Sequence, residues 1–332
     1  MPISRMILAA SLAWLVSTRP AAAAPAAPAD LGKVLAMTKA EWSALDDAAL
    51  IQSADTLWYW VYLGAKAPVP FTPEGYKNAL RKANEMMYGG LERNPKLTLA
   101  YWKISRNLYD IGDLLPEEAK KERMELYVEM IRLTTKCVTE IDPKDGGCWL
   151  FRATGIGRVA TTKGIVNSLM QAKDLQNSFQ KVIDLNTSYV DMNGDPIIND
   201  ARYGLGVFYR VVPESWVVKF LAGTRGDKAK SVSILTEAVA AQPHRLELQK
   251  ELAMSLICLG QDKGDKDLAA RGNGILRGIV AGEYDKVEMR ATNAIDKKHA
   301  TDVLAHNDRA CGYSRDGYQN VDDEALKKAQ KK

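Results

Sequence analysis

Three arginines, Arg106, Arg158 and Arg210, recur in a 332-residue chain beside the aromatics Trp102, Tyr109 and Tyr203, and this combination holds the most chemistry. A guanidinium fork donates two parallel N–H groups to a carboxylate or phosphate, and an aromatic wall beside it takes an apolar body. The spacing is regular. Trp102, Arg106 and Tyr109 fall at i, i+4 and i+7, as do Leu150, Thr154 and Gly157, with Arg158 beside the last, and as do Tyr203, Val207 and Arg210. Positions so spaced share one stripe of an α-helix. Three such stripes side by side would suit an acidic peptide tail or a small organic anion with an apolar body. The competing reading is that the arginines pair with neighbouring acids and the aromatics belong to a core.

Familiar catalytic and metal patterns do not compete with this surface. His244, His299 and His306 have no metal-like spacing with cysteines, and no HExxH, CxxC or GxSxG occurs. The run from Gly155 to Gly164 lacks the glycine directly before Lys163 that a phosphate loop needs. Asp191 to Asp195 places Arg202 where a calcium loop requires a bidentate glutamate, so it is expected to be a turn. Arg225-Gly226-Asp227 is too short a match to carry a function. The expectation is a binding protein without catalytic residues, cofactor or metal.

The elements that must position the stripes are helices. Ser231, Leu235 and Ala238 stand twelve, eight and five residues before Pro243, and Ala83, Met87 and Gly90 stand at the same offsets before Pro95. Proline ends a helix, so these are matched helix termini. After each proline a second helix restarts in register: Tyr101, Ile104, Ser105 and Leu108 after Pro95; Trp149, Arg152, Ala153 and Ile156 after Pro143; Gln249, Leu252, Ala253 and Leu256 after Pro243. Gly206, between Leu205 and Tyr209, lets a neighbouring helix approach closely. Small and large positions alternating in helix pairs form the pattern of a tetratricopeptide repeat, whose period is about 34 residues. The termini at 95, 143, about 187 and 243 lie further apart than that, so each unit carries insertions, such as the loop 212–225. The expected fold is all-α, a degenerate tetratricopeptide-like helical-hairpin array (an α-solenoid) over residues 38–282. Residues 283–332 form a polar capping helix and tail, in which Arg309 to Tyr318 has turn chemistry and packs as coil.

Met6 to Val16 is an apolar run behind Arg5, and Ala21 and Ala23 satisfy the small-x-small cleavage rule. Residues 1–23 are expected to be a signal peptide, and 24–37 an Ala/Pro linker. Losing Arg5 and Arg19 lowers the formal charge from +4 to +2, which offers no nucleic-acid footprint. No cysteine lies near the cleavage region, so a soluble periplasmic or secreted protein without a lipid anchor or transmembrane segment is expected. Four cysteines remain, at 137, 148, 258 and 311. Cys137 and Cys148 flank Asp142-Pro143, so a helical turn can bring them together; buried, unpaired thiols are the preferred expectation.

With the repeats in place, the chain resembles the tetratricopeptide-type T-component of TRAP transporters (TatT-like) and, more distantly, the regulator of microtubule dynamics family. The resemblance covers Leu97 to Gly260. It rests on Gly147-Cys148-Trp149 with Lys163-Gly164-Ile165 and Phe179 to Asn186, on Tyr203 to Tyr209 through Pro213, and on Gly226 to Lys230 through Pro243. It implies a periplasmic helical protein that associates with a transporter substrate-binding protein and presents a pore or groove for a hydrophobic or organic-acid ligand. The expected function is a non-catalytic scaffold of this kind, binding a partner protein or small ligand. The alternative is an extracytoplasmic assembly factor or holdase for another exported protein.

Overall fold

The computed structural model describes residues 30–63, 67, 69–116, 118–190, 195–284 and 290–321. The expected signal peptide, the start of the linker, most of the 191–195 turn and the tail from 322 lie outside the described residues. The chain folds as an all-α array of helical hairpins. Two short helices, α1 (Leu31–Ala36) and α2 (Lys39–Ser43), precede the hairpin of α3 (Asp47–Leu63) and α4 (Pro73–Arg93). Then come α5 (Thr98–Asp113) with α6 (Lys120–Lys136), α7 (Gly146–Lys163) with α8 (Ala172–Leu185), and α9 (Ile198–Val211). After α10 (Trp216–Ala222), α11 (Lys228–Ala241) packs back on α9, α12 (Leu246–Lys263) pairs with α13 (Lys266–Ala281), and α14 (Arg290–Ala305) is the last long helix.

The helices form two layers. Each of α3, α5, α7 and α9 touches the next inner helix, ending at α12, while α4, α6, α8, α11 and α13 back them from outside. The register set by the prolines has a specific bond behind it. Six residues after each proline a side chain turns back to donate to its carbonyl: Tyr101 Oη to Pro95 at 2.9 Å, Trp149 Nε1 to Pro143 at 2.9 Å and Gln249 Nε2 to Pro243 at 3.0 Å. Three different donor chemistries thus satisfy one recurring carbonyl, each bond contributing about 1 kcal/mol. Where two helices cross, Gly206 gives α11 its approach: a Cβ there would lie 2.4 Å from Leu235 Cγ, and Ser231 Oγ donates to the Gly206 carbonyl at 2.7 Å.

Several sequence expectations require correction. Residues 31–36 are not linker: Asp30 accepts from the Lys33 N–H, and the resulting helix buries Leu31 and Val34. Thr38 and Glu41 form a full capping box at the start of α2, and α3 starts separately at Asp47. The loop 212–225 contains α10, capped by Ser215 and closed by Gly223 in the left-handed region. The thiols are not free either. Cys137 is bonded to Cys148 across the turn between α6 and α7, and Cys258 to Cys311, tying α12 to the C-terminal segment.

That segment is more than coil. Beyond α14, a 3-10 turn (Asn307–Gly312) leads into a two-residue-turn hairpin of β1 (Tyr313–Ser314) and β2 (Gly317–Tyr318), with Gly317 supplying the positive φ of 83° at the turn. The hairpin lies on the inner side of the array. Arg315 and Asp316, at its tip, reach back to α5, α6 and α7.

Candidate functional site: a cavity closed by the C-terminal hairpin

The inner helices surround a cavity of about 1210 Å³, and Ser314 and Arg315 of the hairpin form part of its wall. Six of the seven residues singled out from the sequence line it: Trp102, Arg106, Tyr109, Thr154, Arg158 and Tyr203. The i, i+4, i+7 stripes of α5, α7 and α9 therefore do converge. Arg210 is the exception. Its side chain has no exposed surface; it donates to the Ala310 carbonyl at 2.6 Å and the Tyr313 carbonyl at 2.8 Å, and is ion-paired with Glu251. It is the socket of the C-terminal segment. Thr154 lines the wall but donates its hydroxyl to Leu150 of its own helix at 2.9 Å.

The arginines are not bare anion forks. Arg106 lies with its guanidinium carbon 3.9 Å from the Trp58 ring centroid and 5.8 Å from that of Trp102, and is held at 2.8 Å by Asp55. Lys103 shares that carboxylate at 2.6 Å and lies 4.4 Å from the Trp102 ring centroid. Burial alone would raise the Asp55 carboxyl, but Lys103 and Arg106 outweigh it and hold it below its usual range. Arg158 pairs with Asp113 at 2.9 Å and Asp316 at 3.2 Å, and takes the Tyr127 hydroxyl at 2.9 Å. The same Asp113 accepts from Arg315 at 3.1 Å, and Arg315 also bonds Asp296 at 3.1 Å. Asp296 in turn holds Lys250 at 2.7 Å, and Lys250 sits 3.0 Å from Glu251. One continuous chain of buried charges thus runs from Arg158 through the hairpin tip to Arg210, with cations and anions alternating.

Sequence reasoning missed the acid half of this network and the hairpin that completes it. Asp110 and Asp113 stand four and seven residues after Arg106 on α5, a helical spacing that could have marked them; Asp296, Arg315 and Asp316 carry no such local signal. Asp110 differs from its neighbours. It accepts from Trp58 Nε1 at 2.7 Å and Tyr76 Oη at 3.4 Å, and burial, opposed by those bonds and by Arg106, pushes its carboxyl up to about 6. The lining also includes Arg245, which is held by Asp200 at 2.7 Å and by Glu247, and the apolar Ile165, Leu169, Leu175, Phe179, Val207 and Val211.

Four N–H donors on lining residues are buried and have no acceptor among the described residues: Trp102 Nε1, Arg106 Nε, and Arg158 Nε and Nη1. Buried donors normally find partners, and each left alone costs about 1–3 kcal/mol. Trp102 is fixed by its surroundings. Its ring stacks on Phe151 at 5.9 Å and Tyr189 at 5.9 Å, and Gly147 admits it, since a Cβ there would fall 2.7 Å from the indole. No metal cluster offers an alternative role: the one grouping of ligand atoms among the described residues is Cys137, Cys148 and Asp145, and both its sulfurs are in the disulfide.

No protein-family model matches the chain, and a search of curated proteins finds no significant match. Among solved structures, a thermophilic tetratricopeptide-repeat protein of Thermus thermophilus is similar at 12% identity, with a TM-score of 0.41 over 66% of this chain and 91% of that one. The array described above rests on this chain's own packing. No described helix is long and apolar enough to cross a membrane.

Proposed function

We propose that this protein is a non-catalytic, exported helical-repeat scaffold whose inner cavity holds a small amphipathic molecule, an organic acid with an apolar body. The four unpartnered donor nitrogens on Trp102, Arg106 and Arg158 carry the reading, because they ask for an acceptor group in a cavity lined by aromatic and aliphatic side chains together. The cations already have carboxylate partners, so the head group adds hydrogen bonds rather than neutralising a bare positive site. A partner protein, of the kind that binds substrate for a transporter, would deliver or receive the molecule. Periplasmic export is supported by the apolar run 6–16 with its small-x-small site, and by two disulfides, which persist in oxidising compartments. An assembly factor or holdase would need an open groove for an extended chain, and the hairpin across the inner side counts against that alternative.

Native mass spectrometry of the purified protein, before and after denaturing extraction, tests the reading. A bound organic acid is expected, and Trp102→Phe, which keeps the ring but removes the donor, should weaken its binding about tenfold. Absence of any bound molecule, together with no binding of medium-chain carboxylic acids in calorimetry, would sink the cavity reading. A pull-down from periplasmic extract addresses the partner separately.

A further inference from the structure

α10 and the 3-10 turn Ile165–Gln171 that packs against it carry the most exposed large apolar side chains of the described residues. Trp216 is 74% exposed, Phe220 81% and Met170 78%, with Leu221 beside them. α10 buries Val218 and Ala222, and the i, i+4 pair Trp216 and Phe220 projects from the opposite side, with Lys219 the one charged residue of the helix. Three cations stand near the patch. Lys219 stands between the two aromatics in sequence, Arg225 follows, and Lys173 lies over the end of the helix, where a Cβ on Gly223 would be 3.0 Å from its Cδ. Lys173 and Lys219 have no ion-pair partner among the described residues; of the nearby acids, Asp174 is paired with Arg152, and Glu214, just before the cap of α10, accepts the Lys228 N–H and keeps its charge.

We propose that this face docks on an anionic lipid bilayer. Aromatic side chains that stand out from a convex surface fit a yielding interface, where Trp and Phe settle at the boundary between headgroups and acyl chains and lysines meet the phosphates. Each lysine near such a surface contributes in the same direction. A second copy laid face to face would set Lys173 and Lys219 against the same residues, so charge favours lipid over self-association. The inference is independent of what the cavity holds. Met170, Trp216, Phe220 and Leu221 do not line the cavity, although Ile165, Ser168, Leu169 and Gln171 of the same turn do, so it is α10 that lets either reading fail without the other.

Hydrogen exchange of the full chain, with and without vesicles of phosphatidylglycerol and phosphatidylcholine, tests it peptide by peptide. Protection is expected over 213–225, which carries no cavity-lining residue, absent with pure phosphatidylcholine, and lost in Trp216→Ser/Phe220→Ser, whose vesicle affinity should drop about tenfold or more. Unchanged exchange in α7 and α12 shows that this variant is folded. Lys173→Glu/Lys219→Glu, which keeps the aromatics, should lose the preference for the anionic lipid. Unchanged exchange at α10 in the presence of anionic vesicles overturns the proposal. So does equal protection in the aromatic variant, or protection that grows with protein concentration without lipid, which would make the face a contact between copies.

Discussion

Arg315 donates to Asp113 at 3.1 Å across 202 positions of sequence, joining the tip of the C-terminal hairpin to the last residue of α5. Arg158 holds the same carboxylate from α7. The hairpin is thereby fastened to the first half of the array by side-chain charge, and to the second half by covalent and main-chain contacts through Cys258–Cys311 and Arg210.

Breaking that link should be costly. Arg315→Gln leaves Asp113 with one cation fewer and Asp296 with Lys250 alone, a change in a buried network worth about 3 kcal/mol. Urea denaturation is expected to show that loss, and a cycle with Asp113→Asn should return a coupling of about 1–3 kcal/mol. A coupling near zero would mean that the hairpin is held by its other contacts alone.

The two disulfides should differ in effect. Cys137–Cys148 spans 11 positions and Cys258–Cys311 spans 53, so the second removes more freedom from the unfolded chain. Cys258→Ser/Cys311→Ser is expected to cost about 4 kcal/mol, against about 3 kcal/mol for Cys137→Ser/Cys148→Ser. Only the former should speed proteolysis near residues 307–318.

Asp110 confers a pH dependence with a definite sign. The folded state holds its proton to about pH 6, whereas the unfolded chain releases it near 3.8. The stabilisation from the protonated group is therefore complete below 3.8 and lost as pH rises through about 6. Asp110→Asn carries no such titration. Thermal melts from pH 4 to 8 should show its stability rising relative to the parent chain until about pH 7, then levelling. A constant difference across that range would contradict this.

Packing at the best preserved hairpin is tested by Gly206→Ala. The added Cβ meets Leu235 on α11, and overpacking of a crossing costs about 1–3 kcal/mol. Tyr101→Phe, which removes only the bond to the Pro95 carbonyl, should cost about 1 kcal/mol in the same assay.

The hairpin array was legible in the chain because its signals are local. Proline cannot continue a helix past its first turn, and Ser231, Leu235 and Ala238 before Pro243 repeat the offsets of Ala83, Met87 and Gly90 before Pro95. Those same periods placed Trp102, Arg106, Tyr109, Thr154, Arg158 and Tyr203 on one side of three helices, and they share one cavity. What the periods could not determine was the partner of each charge. Arg106 meets Asp55, Arg158 meets Asp113 and Asp316, and Arg210 meets Glu251 and the backbone of a segment about 100 residues away. Ion pairing depends on distance in space, and helical spacing is silent about which distant acid arrives. The C-terminal residues show the same limit: a Gly at 317 marks a turn, but only tertiary packing sets Arg315 into the inner face and makes it part of the cavity wall.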